Sequence, residues 1–253
     1  MDLGLAGKVA FITGAGHGIG RAFALKMAQE GVAVGIADIN SEWAEKTKLE
    51  ITQEGGRALA IPCDVSDAKQ VQAAIHSTVQ EFDQIDILIN DAVSPLLTGS
   101  WEELDDAEWD DNYRVNVKAN FYCVKAVAPL MKQRRYGKII NMASVVGRRG
   151  SAPPTSAAYA ASKGAIIAMT SSAARELGPH NINVNAIAPG QIDTPRWRDA
   201  RTPEQIETTV QSTAVKRLGQ PEDLTALAML LASDASSFIT GQTITVDGGA
   251  LCM

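Results

Sequence analysis

The chain has 253 residues, 45% of them apolar and 21% charged, which is the balance of an ordinary globular protein large enough for one α/β domain. A net charge of −6, with acids and bases interspersed, argues against nucleic acid or an anionic membrane surface as partner. Cys63, Cys123 and Cys252 are scattered, and His17, His76 and His180 form no zinc pattern, so the expectation is a reduced, cytoplasmic protein with no catalytic metal. The first apolar run, Val9 to Ile12, is too short for a signal peptide or a membrane span. In chain order, Val9 to Thr13 reads as a strand and Ile19 to Glu30 as a helix stopped by Gly31. Val32 to Ala37 is the second strand, and Ser41 to Glu54 a helix capped by Ser41 and closed by Gly55-Gly56. Strand Leu59 to Pro62, helix Asp67 to Phe82 and strand Ile85 to Ile89 follow. Later strands lie at Lys138 to Met142, Asn183 to Ile187 and Thr243 to Val246, with helices at Trp109 to Gln133 and Tyr159 to Leu177. Apolar strands alternating with helices predict a single-domain α/β fold over residues 1–253, a doubly wound parallel sheet with helices on both faces. Residues 195–220 have weaker periodicity and read as an inserted flap.

The first strand runs into Thr13-Gly14-Ala15-Gly16-His17-Gly18-Ile19-Gly20 and then directly into a helix. Glycines there let backbone N–H groups approach a pyrophosphate, and the helix N-terminus adds a favourable dipole. The spacing is Thr-Gly-x-x-x-Gly-x-Gly rather than Gly-x-Gly-x-x-Gly, since the third glycine of the latter would fall on Ile19. Asp38 ends the second strand, 18 residues after Gly20, where a carboxylate accepts from adenosine ribose hydroxyls and repels a 2′-phosphate. Ile39 and Asn40 follow it, and the residue before Gly18 is His17 rather than a fixed cation, so NAD is expected over NADP. Asp64-Val65 follows the third strand where the adenine ring would lie; a turn-forming Asp64 fits the sequence equally well.

Tyr159 and Lys163 stand four residues apart on one helix face. A phenol becomes a useful proton donor near neutrality only if its pKa of about 10 falls by about three units, or roughly 4 kcal/mol. One positive charge about 4 Å away supplies that much at an effective dielectric near 20, so Lys163 could do the tuning alone. The same spacing also describes a solvated helix pair, and the rest of the chain has to decide between them.

These motifs, together with Asn90-Asp91-Ala92, Asn116, Ser144, Pro189-Gly190 and Val246-Asp247-Gly248-Gly249, resemble the short-chain dehydrogenase/reductase family over essentially the whole length. The resemblance implies an NAD-linked oxidoreductase acting on a small or medium secondary alcohol or ketone. On it, Ser144 holds the substrate oxygen and Tyr159 exchanges the proton. Lys163 lowers the phenol pKa and bonds the nicotinamide ribose, and Asn116 holds a water linking Lys163 to solvent. Coenzyme contacts carried over are Gly14, His17, Gly18, Ile19, Gly20, Asp38, Asp64, Val65, Asn90, Tyr159, Lys163, Pro189, Gly190, Ile192 and Thr194. Backbone at Ile192 and the Thr194 hydroxyl would hold the carboxamide, fixing transfer of the pro-S hydrogen. The family also implies a homotetramer, one interface built by the two long helices and another by the C-terminal strand region. The alternatives are an NADPH-linked carbonyl reductase, such as a 3-oxoacyl-thioester reductase, and a nucleotide-binding regulator without turnover.

The chain departs from the family in two places. The pattern Asn-Asn-Ala-Gly is Asn90-Asp91-Ala92-Val93 here, which replaces a conformationally free residue by a β-branched one. Residues 148–158, carrying Pro153-Pro154, form a long stiffened wall for the substrate pocket. Substrate choice is expected in Ser94 to Leu97, Val146 to Thr155, Gln191 and the flap. Arg196, Arg198 and Arg201 in that flap are read as solvated or paired with Asp199 and Glu204, the alternative being a clamp on an acidic substrate group.

Overall fold

In the computed structural model, which describes residues 2–94, 100–151 and 155–251, the strands are β1 (Val9–Thr13), β2 (Ala33–Asp38), β3 (Ala58–Pro62), β4 (Ile87–Asn90), β5 (Gly137–Met142), β6 (Ile182–Pro189) and β7 (Thr243–Val246). All pair in parallel in the order β3-β2-β1-β4-β5-β6-β7. The chain reverses winding between β1 and β4, and a parallel sheet places its ligand crevice at the carboxyl ends of the strands on either side of such a switch. Register puts Thr13 beside both Ala37 and Asn90, so the residues ending β1, β2 and β4 meet there.

Alternate side chains of each strand enter different cores. Ala10 and Ile12 of β1 pack with Phe23 and Met27 of α1 (Gly18–Gln29), Ile51 of α2 (Ser41–Gln53) and Met229 of α10 (Thr225–Ala232). Phe11 points the other way, toward Val71 and Ile75 of α3 (Ala68–Phe82), Val127 and Met131 of α5 (Ala119–Arg134) and Leu177 of α7 (Ala157–Leu177). Strands covered on both faces need apolar residues at every position, which is why they read as unbroken apolar runs. Cys63 and Cys123 are buried in the second core, where loss of solvent pushes both thiols upward, Cys63 to about 11.

The helices depart from expectation in two instructive ways. Asn40, not Ser41, caps α2, its Oδ1 accepting from the Trp43 N–H at 3.0 Å. The expected single helix from Trp109 to Gln133 is instead α4 (Asp106–Asn112), a π-helical turn Tyr113–Lys118, and then α5. Wide π turns insert an extra residue and re-aim side chains, often at functional sites. Here the turn aims Asn116 inward, where its Nδ2 donates to Asn112 Oδ1 at 3.1 Å and Ser162 Oγ at 2.9 Å.

The expected flap is an excursion carrying α8 (Pro195–Asp199) and α9 (Pro203–Ser212). Its base is pinned by a parallel bridge between Ile192 and Gly219, with Asp193 N–H donating to the Gly219 carbonyl at 2.7 Å. Residues 95–97, Pro153-Pro154 and Cys252 of the expectations above lie outside the described residues. Among the described residues no helix is long and apolar enough to cross a membrane.

Candidate active site

The loop between β1 and α1 is built by backbone crowding. Gly14 sits at φ +67, and a Cβ there would meet the Ala92 Cα at 2.9 Å. At Gly20 a Cβ would stand 2.4 Å from the Gly14 carbonyl oxygen and 2.8 Å from Asp91 Oδ2, so only hydrogen fits. Val93, the departure from the family pattern, is not among the described residues with positive φ, so this turn does not require glycine there.

Asp38 closes the loop from the side. Its Oδ2 accepts from the Gly16 N–H at 2.9 Å and its Oδ1 from the Asn40 N–H at 2.9 Å. Each oxygen keeps a lone pair for a further donor. Thr47 of α2 donates to the Gly16 carbonyl at 3.2 Å, and the His17 ring stacks on Trp43 at 4.9 Å. Arg21, the cation that directly follows the loop, is held by Glu50. Asp64 takes the turn-forming reading: its Oδ1 accepts from both the Ser66 N–H at 2.9 Å and the Ser66 hydroxyl at 2.6 Å.

At the other side of the crevice, Ser156 caps α7 by accepting from the Tyr159 N–H at 3.2 Å, which sets where the phenol leaves the helix. Lys163, one turn on, donates from Nζ to the Met142 carbonyl at the end of β5 at 2.7 Å and lies 5.5 Å from the Tyr159 ring centroid. Ser144 follows β5 with its hydroxyl against the phenol, favouring the ionised form. Asn116 Oδ1 accepts from the Ser94 N–H at 2.8 Å, and Ser162 Oγ donates to the Tyr159 carbonyl at 2.7 Å. The Asn116 amide thus joins the π turn, the loop after β4 and α7. Both of its N–H donors are used by protein, which leaves only a lone pair on Oδ1 for the water that the family resemblance assigns to it. Asn90, ending β4, donates to Asn141 Oδ1 at 2.9 Å, and Asn141 in turn donates to Thr170 at 2.9 Å.

The electrostatics correct the expectation that Lys163 alone tunes the phenol. Burial pushes Tyr159 above its ordinary value, and the main opposition comes from Arg196, then the Ser144 hydroxyl, then Arg201. Lys163 is itself brought down to about 8 by burial, against the pull of Asp91 and with Arg196 adding to the fall. Burial pushes the Asp91 carboxyl up to about 7, although Lys163 and the Gly20 N–H favour its charge. The ammonium shares a desolvated pocket with a carboxylate, and its bond runs to a carbonyl rather than to the phenol.

The arginine expectation changes as well. Arg198 pairs with Asp193, not Asp199. Arg196 and Arg201 turn inward, one donating from Nη2 to the Ser94 carbonyl at 2.5 Å and the other reaching Thr155 Oγ1 at 3.5 Å. Thr194 caps α8, its Oγ1 accepting from the Trp197 N–H at 3.3 Å, and its methyl would lie 3.8 Å from a Cβ on Gly18. Pro189 and Gly190 bond to β7 and the loop after β5: the Gly190 N–H donates to the Val246 carbonyl at 2.9 Å, and the Pro189 carbonyl accepts from Val145 at 3.1 Å. Ile192 is buried at the base of the excursion.

The family model described as enoyl-(acyl carrier protein) reductase matches residues 14–250. The chain belongs to the short-chain dehydrogenase/reductase family. It is 40% identical to the 3-oxoacyl-(acyl-carrier-protein) reductase FabG of Thermotoga maritima, over 97% of this chain and 98% of that one. It is 42% identical to galactitol 2-dehydrogenase of Agrobacterium fabrum, over 97% and 98%. Among solved structures, a 3-oxoacyl-(acyl-carrier-protein) reductase with bound NAD from Brucella melitensis superposes with a TM-score of 0.90 at 38% identity, covering 98% of this chain and 92% of that one. As a short-chain dehydrogenase/reductase the chain is an oxidoreductase.

A surface cavity of about 430 Å³ beside Gly7, Lys8, Leu25 and Ile51 lies at the amino ends of the strands, opposite this crevice, and contains none of these groups. Sequence reasoning named Asp91 only as a motif position and missed Trp43, Thr47, Asn141 and Ser162. The signal available for Asp91 was a charge where the family carries an amide. Nothing in the sequence marked the other four, because each acts through a partner distant in the chain.

Proposed function

We propose that this enzyme transfers hydride between NAD and a secondary alcohol or ketone, with Tyr159 exchanging the proton, Ser144 holding the substrate oxygen and Lys163 and Asn116 positioning the phenol's surroundings. The observation that carries the proposal is the convergence of Ser144, Tyr159 and Lys163 at the carboxyl ends of the strands, across the crevice from Asp38 and the glycine loop. The residues present fit a dinucleotide. Gly14 and Gly20 leave no room for a side chain where the backbone must face a pyrophosphate, and Asp38 has acceptor capacity for ribose hydroxyls. Arg21, which follows the glycine loop, is held by Glu50 rather than left for a 2′-phosphate, which supports NAD over NADP.

When bound, the nicotinamide supplies the hydride acceptor or donor. In alcohol oxidation Tyr159 takes the hydroxyl proton as the phenolate, and in reduction it returns that proton to the carbonyl oxygen. Ser144 donates a hydrogen bond to the same oxygen, stabilising the charge that develops there. Lys163, as the ammonium, favours the phenolate by field.

A 3-oxoacyl-thioester reductase is the second reading, supported by the names of the Thermotoga and Brucella relatives. An NADH-absorbance screen with both coenzymes decides between them, using alcohols, polyols, hydroxy acids, their carbonyl partners and a 3-oxoacyl thioester. Turnover is expected with NAD; a preference for NADPH with the thioester would select the second reading. A homotetramer is the proposed assembly. The fully exposed Phe238 near β7 and the exposed Phe121 on α5 suit the two expected interfaces, and native mass spectrometry giving a monomer would refute it.

A further inference from the structure

Beyond the field they exert on Tyr159, two inward-facing arginines have no contact assigned to them by hydride transfer. Arg196 donates from Nη2 to the Ser94 carbonyl, while its Nε is buried with no hydrogen-bond partner among the described residues. Ser94 donates to Asn116, Asn116 to Ser162, and Ser162 to the Tyr159 carbonyl, so this guanidinium is tied by four hydrogen bonds to the turn of α7 that bears the phenol. Arg201 stacks over the Trp197 ring at 4.3 Å, donates to the Trp197 carbonyl at 3.0 Å and reaches Thr155, the neighbour of the α7 cap. Trp197 is itself anchored through Nε1 to Gln191. Both arginines are thus fixed on the substrate side of Tyr159 by contacts that leave donors over.

Arg198, third of the cluster, is taken by Asp193 at its exposed position. The carboxylate that Arg196 feels is Asp91, which Lys163 also uses, and the charged neighbours of Arg201 are Arg196 and the phenol. Arg196 and Lys163 therefore share Asp91, and Arg201 adds a further cation beside Arg196, in a chain whose net charge is −6. A buried donor left without an acceptor is destabilising, and a half-buried like-charged pair adds to that cost. An oxyanion between the two forks would relieve both, since a guanidinium presents parallel N–H groups matched to carboxylate and phosphate oxygens.

We propose that Arg196 and Arg201 bind an oxyanion, a carboxylate or phosphate, carried by the substrate close to its carbinol carbon. The enzyme's substrates are then acidic alcohols and their oxo forms, and neutral alcohols are rejected because they leave the buried Nε unpaired. This rests on the hydride-transfer reading for the word substrate, but the anion site stands or falls separately. Isothermal titration calorimetry of malonate, and in a second arm inorganic phosphate, into the enzyme saturated with NAD tests it without turnover. Saturable binding of one of the two is expected, weakened about 10- to 100-fold in R196Q and in R201Q, partly restored in R196K, and unchanged in R198Q. The arm that binds tells carboxylate from phosphate. Absence of binding in both arms, or wild-type binding in R196Q and R201Q, overturns the proposal. So does a loss of NAD affinity in those variants at unchanged malonate or phosphate binding, which would give the arginines to the coenzyme. Should R196Q fail to fold by its urea midpoint, R201Q decides, because Arg201 is stacked near the surface. An enzyme that binds malonate through these arginines yet turns over nothing would refute hydride transfer and leave the anion site intact.

Discussion

Replacing Asp91 by asparagine removes one buried charge and preserves the shape and the acceptor for the Gly20 N–H, which makes it a clean probe of how Lys163 is kept protonated. Burial has already brought Lys163 down to about 8 with Asp91 holding it up. An opposite charge a few ångströms away typically favours the charged form by about one to three pH units. The same charge also raises Tyr159, so removing it lowers the phenol as well. In alcohol oxidation the active form pairs the phenolate with the ammonium, so both titrations shape the pH profile. Both groups titrate lower in D91N, and the whole bell moves toward acid. The shift is fullest above about pH 7, where Asp91 is ionised in the parent. The assay is kcat/KM against pH by NADH absorbance, with a urea midpoint as the folding control. A profile displaced by at least about one unit to lower pH is expected. A profile that stays in place or moves to higher pH would refute the idea that Asp91 holds the Lys163 charge.

Tyr159→Phe should abolish turnover by about a thousandfold or more while NADH affinity by fluorescence titration stays within about threefold, and retained activity would remove the phenol from the chemistry. Asp38→Asn turns an amide donor toward the Gly16 and Asn40 N–H groups and should reduce the NAD-over-NADP preference in kcat/KM at least about tenfold, an unchanged ratio counting against its role. Gly20→Ala places a Cβ 2.4 Å from the Gly14 carbonyl oxygen, so a loss of about 2 kcal/mol or more in urea unfolding is expected together with weakened coenzyme binding, and a parent-like midpoint would show that the loop yields.

Much of this molecule was legible along the chain because its rules are local. Apolar β-branched runs bounded by glycine and helical periods marked every strand in β1 to β7, with ends shifted by a residue or two where fraying and capping decide. Thr13 to Gly20 announced a crowded turn because only glycine tolerates such backbone approach. Tyr159 and Lys163 declared their shared face through helix geometry alone, and Asp38 its place through strand length.

What the chain order could not show is which groups share a desolvated space. Asn116 reads as a polar residue on a continuous helix until the π turn, held by Asn112 and Ser162, points it inward. Arg196 and Arg201 read as solvated until the excursion, pinned between Ile192 and Gly219, folds them against Ser94 and Thr155. Lys163 reads as the phenol's sole tuner until the Met142 carbonyl and Asp91 engage it and Arg196 and Arg201 add their fields. A pKa depends on burial and on charges brought near from distant segments, and both are products of packing. Local patterning along the chain thus specifies a parallel α/β sheet, a glycine-rich loop and the residue types of the site. Packing sets how the charges around Tyr159 are divided, and that division turns two surface-looking arginines into candidates for recognising the substrate.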